Sequence, residues 1–178
     1  MSVTRMVILK NMMNATVSVK KPEYGVNRRW DKRGQTTAIP YETIEQLLWD
    51  DSFRRMIDCG ILYIEDMQTK KDLGLEPEDA TEPVNIIALD EKKMNKLLNE
   101  MPITMFKGEI SKLTSTQIDN LIDYSIENKI ANIEKADILK KISGRDILMA
   151  ISRKQREEEE DRIEKEKLSR ANVEGRRV

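Results

Sequence analysis

The chain has 178 residues, of which 39% are hydrophobic and 35% are charged, so a core can form over only part of its length. It contains no histidine and a single cysteine, Cys59. This composition excludes an intramolecular disulfide scaffold and removes the commonest general base and transition-metal ligand. No apolar run approaches the length of a membrane span, and residues 6–9 are too short an apolar stretch for a signal peptide.

The charge is unevenly distributed along the chain. The 31 basic and 32 acidic residues nearly cancel, but residues 1–34 contain eight basic and two acidic residues, a local charge of +6. The remaining 144 residues therefore carry −7. Ends of opposite charge can steer self-assembly or contact with a polyanion. The alternative is that a basic sheet and an acidic helical body are each simply well solvated.

The first forty residues are predicted to form strands. Two segments rich in Val, Ile and Thr precede a strand–turn–strand pattern: residues 3–10, 16–21 and 26–39. Residues 11–14 are long enough to connect the first two as a hairpin. Gly34 is expected at the later turn.

Helical and strand patterns alternate in the middle of the chain. Apolar residues at helical spacing predict helical structure from Tyr41 to Gly60, where glycine can end a helix. Residues 61–65 and 84–89 are predicted to join the N-terminal sheet. Between them, a helical turn is expected to end at Gly74 and to lead into an acidic loop.

From Asp90 onward the chain is predicted to be helical. Asp90 and Asn132 are expected to cap helices, and Thr114 with Gln117 forms a capping-box pattern. The predicted inward-facing residues of the last two short helices are Ile133, Ile138, Leu139, Ile142, Ile147, Leu148 and Ile151. Short helices with tight connections indicate a compact helical bundle.

After Ile151 the sequence keeps helix-forming residues but contains few large apolar ones. Its charged pairs at i, i+4 are each worth about 0.2–0.5 kcal/mol, which predicts a solvated helix that orders fully only against a partner. Residues 171–178 are expected to fray when free. The predicted partner contacts of this tail are Arg156, Arg162, Ile163 and Leu168.

The basic N-terminal segment is the predicted principal contact surface. Its candidate partner-binding residues are Tyr24, Arg28, Arg29, Trp30, Lys32 and Arg33. Trp, Tyr and Arg are enriched at the energetic centres of protein interfaces. Basic residues interleaved with aromatics can also bind phosphates and stack on bases, so a nucleic-acid-binding regulator stays open as an alternative. In a third interpretation Trp30 folds back onto the sheet and the basic face is merely solvated.

Acidic residues occur in two sequence clusters, which are Asp50, Asp51, Asp58, Glu65 and Asp66, and then Glu76, Glu78, Asp79 and Glu82. They do not match a calcium-loop pattern, and we interpret them as ordinary solvated acids. Glycine-rich phosphate loops and common hydrolase or zinc motifs are not found in the sequence. We therefore predict no catalytic residues, no metal site and no cofactor. An enzyme is a third possible class, which a metal or small ligand bound near Asp51, Asp58 or Asp66 would favour.

The order of these features resembles small virion structural proteins of tailed bacteriophages. The resemblance rests on R-W-x-K-x-G-Q at residues 29–35, the leucine-bearing helix at residues 44–48, and G-x-L-x-I-x-D at residues 60–66. It implies a non-enzymatic head, neck or tail accessory protein. Such a protein would contact other structural proteins in multiple copies, without a membrane, in a virion assembled in the host cytoplasm.

The predicted fold is α+β, with three parts. Residues 1–89 form a β-rich α+β domain with one or two helices, residues 90–151 a small helical domain, and residues 152–178 a charged helical tail. The predicted function is that of a structural or adaptor component of a large assembly, acting through protein–protein contacts.

Overall fold

The computed structural model describes residues 4–174, and their side chains as far as Ser169. It confirms an α+β fold, in which N-terminal strands are followed by helices. The chain divides into two compact units, Met1–Leu121 and Ile122–Val178. None of the described helices is long and apolar enough to cross a membrane.

Two antiparallel sheets form the N-terminal part of the first unit. Strand β1 (Met6–Asn11) lies between β4 (Thr36–Pro40) and β5 (Leu62–Ile64) in a three-stranded sheet. Strands β2 (Val17–Lys21) and β3 (Val26–Trp30) pair as a separate two-stranded ribbon, joined by a 3-10 turn at Pro22–Tyr24. The strands predicted within the first forty residues are therefore confirmed.

The predicted pairing of these strands was wrong. Residues 11–14 do not close a hairpin, because the Asn11 side chain donates to Ala15 O (2.9 Å) and accepts from Met13 N (2.8 Å), which turns the chain away from β1. The backbone of Asn11 instead bonds to Gly34 N and Gln35 O. Gly34, at φ 80°, thus brings β4 alongside β1.

Of the two segments predicted to complete the sheet, only residues 61–65 do so, as β5. Residues 84–89 are irregular. Side chains provide hydrogen-bond partners for part of this irregular backbone. Glu76 accepts from Val84 N (3.1 Å) and Asn85 N (3.1 Å), and Gln117 donates to Ile87 O (2.7 Å). A backbone held by side chains in this way does not need a strand ladder.

The helical segment before Gly60 is two helices, α1 (Tyr41–Leu47) and α2 (Asp51–Asp58). Asp50 separates them, because its carboxylate accepts from the backbone N–H groups of Ser52 and Phe53 (both 3.0 Å) and so starts a new helix. Gly60 (φ 72°) follows α2, as predicted. The short helix α3 (Met67–Asp72) then leads to Gly74.

The Asp50 carboxylate also ties α2 to the ribbon through Lys21 Nζ at 2.5 Å. The hydrogen bond from Lys21 holds the pKa of Asp50 well below its usual value. Its contribution to stability is therefore present above about pH 4 and is lost as the pH falls through the lowered folded-state pKa. Asp50→Asn keeps a good helix cap but removes this charge.

We expect Asp50→Asn to unfold at a lower urea concentration than the parent chain at about pH 6, with the two midpoints converging towards about pH 2. Asp51→Asn is the control, since Asp51 is the exposed neighbouring residue. A difference between parent and Asp50→Asn that stays constant across this pH range would contradict the expected linkage.

The rest of the first unit is helical. Helix α4 (Glu91–Asn95) continues into a π-helical turn (Lys96–Glu100), and α5 (Ile103–Ile110), which the sequence analysis did not predict, precedes α6 (Ser115–Glu127). The predicted caps are confirmed. Asp90 accepts from Lys93 N (2.8 Å), and Thr114 and Gln117 exchange two hydrogen bonds (both 3.2 Å).

The boundary between the two compact units lies within α6, between Leu121 and Ile122. The first half of α6 is joined to the N-terminal region by side chains: Gln117 bonds to Ile87 O, and Asn120 donates to Met12 O at 3.0 Å. These bonds place residues 90–121 in the same compact unit as the sheets.

The second unit contains α7 (Ile133–Ser143) and α8 (Ile147–Glu174). Asn132 caps α7 and Gly144 (φ 75°) ends it, as predicted. The predicted inner face of α7 was partly wrong, because Ile133 and Ile142 are exposed. The buried residues of α7 are Lys135, Ala136 and Leu139.

Helix α8 joins the predicted third short helix and the charged tail without a break at Ile151. Ile147 and Ile151 are buried, as predicted. From Ser152 to Ser169 every side chain is exposed except the partly covered Lys154. The expected fraying of residues 171–178 concerns side chains outside the described residues, and residues 175–178 lie wholly outside them.

Candidate partner-binding surfaces

Four exposed basic side chains lie on the β2–β3 ribbon and the turn that follows it. Because successive side chains of a strand alternate, Arg28 and Arg29 are on opposite faces of the ribbon, and Lys20 shares the face of Arg29. We call Lys20, Arg28, Arg29 and Lys32 the basic strip. Arg29 pairs with Asp31. No ion pair is found for Lys20, Arg28 or Lys32 among the residues that the structure describes, and Arg28 donates only to Asn27 O (3.1 Å). The strip therefore presents largely uncompensated positive charge to solvent.

Trp30 does not belong to this surface. Its side chain is fully buried in the core of the first unit, and its indole N–H donates to Leu9 O at 3.2 Å. In the ribbon it lies directly opposite the buried Val17. The interpretation in which Trp30 folds back onto the sheet is therefore the one that the structure supports, and this residue offers no free contact. The chain's other tryptophan, Trp49, is 86% exposed between α1 and α2.

Arg33 also makes its hydrogen bonds within the first unit. Only 7% of its side chain is exposed, and it donates to Met12 O (3.1 Å) and to Asn120 Oδ1 (2.6 Å). A longer contact of 3.4 Å reaches Glu91. These bonds connect the Gly34 turn to α6, so most of the donor capacity of the guanidinium is used inside the unit.

Tyr24 is half-buried against the core at the end of the 3-10 turn. Of the six predicted partner-binding residues, Arg28, Arg29 and Lys32 are thus exposed, although Arg28 and Arg29 are on opposite faces of the ribbon, and Tyr24 is partly buried. A signal for the position of Trp30 was present in the sequence. The period of two in a strand places it on the same face as the apolar Val26.

The four predicted tail residues are all exposed on α8. Arg162 pairs with Glu159 at 2.7 Å, and the predicted i, i+4 pair of Arg153 and Glu157 is present at 3.6 Å. Ile163 and Leu168 are five residues apart, and helical residues that share a face are three or four apart. The two apolar residues therefore do not form one stripe. The contact role of Arg156, Arg162, Ile163 and Leu168 stays a prediction.

The acidic residues have more structural roles than predicted. Asp50, Asp66 and Asp90 cap helices. Glu76 was interpreted as a solvated acid, but it is buried because its carboxylate binds the backbone N–H groups of Val84 and Asn85. Among the described side chains, residues 4–169, no group of three acidic or cysteine residues is placed to hold a metal ion.

A cavity in the first unit was missed by the sequence analysis. Its wall contains three buried polar side chains, those of Tyr63, Lys70 and Glu76. Lys70 belongs to α3, which was predicted as a helical turn ending at Gly74. Its burial depends on which segments pack around it, and a local pattern carries no such signal.

Comparison of the chain with protein-family models, with curated proteins and with solved structures found no match. Its function is therefore inferred from the chemistry of its own surfaces.

Proposed function

We propose that this chain is a non-enzymatic structural or adaptor component of a large macromolecular assembly, and that the basic strip is one of its protein-binding surfaces. The assembly that we propose is the virion of a tailed bacteriophage, formed in the host cytoplasm. The chain would occupy a head, neck or tail accessory position, in several copies. The observation that carries the contact role is the exposure of Lys20, Arg28 and Lys32 with little internal compensation of their charge.

The backbone that carries the basic strip is firmly packed. Beneath it, Trp30 is buried in the core, and beside it Lys21 is bonded to Asp50 and Arg33 to Asn120. A surface whose backbone is already ordered loses less conformational entropy when it binds. This support favours a specific docking surface over a loop that is merely solvated.

The chemistry of the strip favours an acidic protein surface as its partner. Single-stranded nucleic acids are bound by basic grooves combined with aromatic side chains on which bases stack. Trp30 is buried and Tyr24 is half-buried, so the strip contains no fully exposed aromatic ring among the described residues. An acidic protein face would need only the charges that the strip presents.

We expect the combined replacement of Lys20, Arg28 and Lys32 by glutamate to lower the number of copies per purified phage particle by at least about tenfold, because attraction to an acidic face becomes repulsion. Quantitative mass spectrometry of particles assembled with each variant would measure this. The matched control is the replacement of Lys96, Lys107 and Lys141, which are also exposed, by glutamate. Circular dichroism checks that both variants fold.

Three outcomes would count against the proposal. If the parent chain is missing from particles, the virion role is wrong. If the strip variant is incorporated as well as the parent, the strip is not the contact. Binding of labelled single- or double-stranded oligonucleotides at low salt, weakening steeply as salt is added, would favour the nucleic-acid-binding alternative instead.

A further inference from the structure

A cavity of about 280 Å³ lies in the first unit, between α2, β5, α3 and the irregular chain that follows α3. Most of its wall is apolar, contributed by Ile57, Leu62, Ile64, Leu75 and Ile86. Arg54, which is 44% exposed and bonded to Asp58 at 3.0 Å, lies on its solvent side. The volume is just below the range of about 300–1,000 Å³ that is typical of small-molecule sites.

The cavity has one cationic group that is almost completely buried. Lys70 is only 4% exposed, and its ammonium donates to Tyr63 Oη at 2.7 Å and lies 4.1 Å from the centre of the Tyr63 ring. An ammonium has three N–H donors. Within the described part of the chain, Tyr63 Oη is the one acceptor found for this ammonium.

The nearby carboxylate does not pair with Lys70. Glu76 lies in the same wall, but its oxygens accept from Val84 N and Asn85 N, and no ion pair joins it to Lys70 among the described contacts. Burial lowers the pKa of Lys70, with a smaller opposing effect from Glu76. The ammonium is thus desolvated without a contacting counter-charge, an arrangement that costs free energy unless an anion is supplied.

We propose that this cavity binds a small carboxylate carried on a short apolar body. The carboxylate would accept hydrogen bonds from Lys70 Nζ, supplying the missing acceptor and counter-charge, and charge-assisted bonds of this kind are the stronger ones. The apolar body would lie against the aliphatic wall. This site is separate from the basic strip and does not depend on the proposed function.

The ligand chemistry follows from the two kinds of wall. A cation would be repelled by Lys70, and a neutral alcohol would find a hydrogen-bond donor but no compensation of charge. A highly charged anion such as a nucleotide would place polar groups against the apolar side chains. A monocarboxylate with a short apolar body matches both the ammonium of Lys70 and the apolar side chains of the wall. It has two possible sources, a free organic acid or the C-terminal carboxylate of a partner's peptide chain.

Isothermal titration calorimetry of the full chain at neutral pH tests the proposal with hexanoate, hexan-1-ol and hexylammonium as probes. We expect hexanoate to bind at least about tenfold more tightly than hexan-1-ol, and hexylammonium not to bind. A peptide ending in leucine, with a free or an amidated C-terminus, distinguishes the two sources. Preference for the free-terminus peptide over hexanoate assigns the site to a partner chain, and the reverse assigns it to a small acid.

Lys70→Met removes the charge and keeps the length of the side chain. We expect it to lower carboxylate affinity at least about tenfold and to change the affinity for hexan-1-ol by less, because the alcohol loses a hydrogen bond but no counter-charge. Lys71→Met is the control, because Lys71 lies in the same helix but does not line the cavity. Ile86→Phe, which fills the cavity without touching the charge, is expected to abolish binding of all probes, and it serves if Lys70→Met does not fold.

The proposal is overturned if neither hexanoate nor the free-terminus peptide binds. It is equally overturned if hexylammonium binds as well as hexanoate, or if folded Lys70→Met or Ile86→Phe binds carboxylates like the parent chain. None of these results bears on the basic strip, whose test uses other residues and another measurement.

Discussion

Replacing Trp30 by alanine is expected to lower the free energy of unfolding by about 3–5 kcal/mol, the usual cost of deleting a buried aromatic side chain. Trp30 is among the largest fully buried side chains of the protein. Its removal would leave a void between the ribbon and the three-stranded sheet and would free Leu9 O from its indole partner. Urea denaturation followed by far-UV circular dichroism measures the change.

The chain provides its own control for this experiment. Trp49→Ala removes the same side chain from a position that is 86% exposed and should change stability by no more than about 0.5 kcal/mol. Equal effects of the two substitutions would show that the ribbon does not pack as described. Loss of partner binding by Trp30→Ala would reflect unfolding and would not identify a contact residue.

Arg33→Met is expected to destabilise the first unit by about 1–3 kcal/mol, because it leaves Asn120 Oδ1 buried without the donor that Arg33 supplies. Arg28→Met, at an exposed residue of the same ribbon, should stay within about 0.5 kcal/mol of the parent. Both are measured by urea denaturation at one pH.

A double-mutant cycle separates this bond from other effects of the substitution. Asn120→Ala alone removes the acceptor of Arg33 and a donor to Met12 O. If the two side chains act together, the double variant should lose less stability than the sum of the single variants, since residues in one hydrogen-bond network are not additive. Simple additivity would mean that the contact between Arg33 and Asn120 contributes nothing.

The sequence allowed the strands, the caps and the fold class to be predicted, because these depend on residues close together in the chain. Val, Ile and Thr content and the turn at Gly34 identified β1 to β4, and the carboxylate of Asp90 and the Thr114–Gln117 pattern identified helix starts. Strand pairing was not predictable in this way. It depends on Asn11, whose side chain turns the chain and whose backbone receives the Gly34 turn from a distant segment.

The same distinction, between features that depend on nearby residues and features that depend on distant ones, applies to the candidate sites. Exposure of the basic strip follows from its polar residue types, so Arg28, Arg29 and Lys32 lie on the surface as predicted. Arg33, with the same charge, is largely buried, because Asn120 of α6 and the carbonyl of Met12 provide partners that make this burial tolerable. Lys70 and Glu76 are buried for the same reason. The burial of a charged side chain is decided by distant partners, and the surrounding sequence does not contain them.

The outer part of α8 has a consequence for how this protein can change over evolutionary time. Its side chains from residue 155 to 169 are exposed, so substitution there removes no core packing, and single exposed ion pairs contribute little. Natural selection on this stretch therefore acts mainly through its contacts with other molecules and little through folding stability. It is also the stretch where a fluorophore or a fused domain would least perturb either unit.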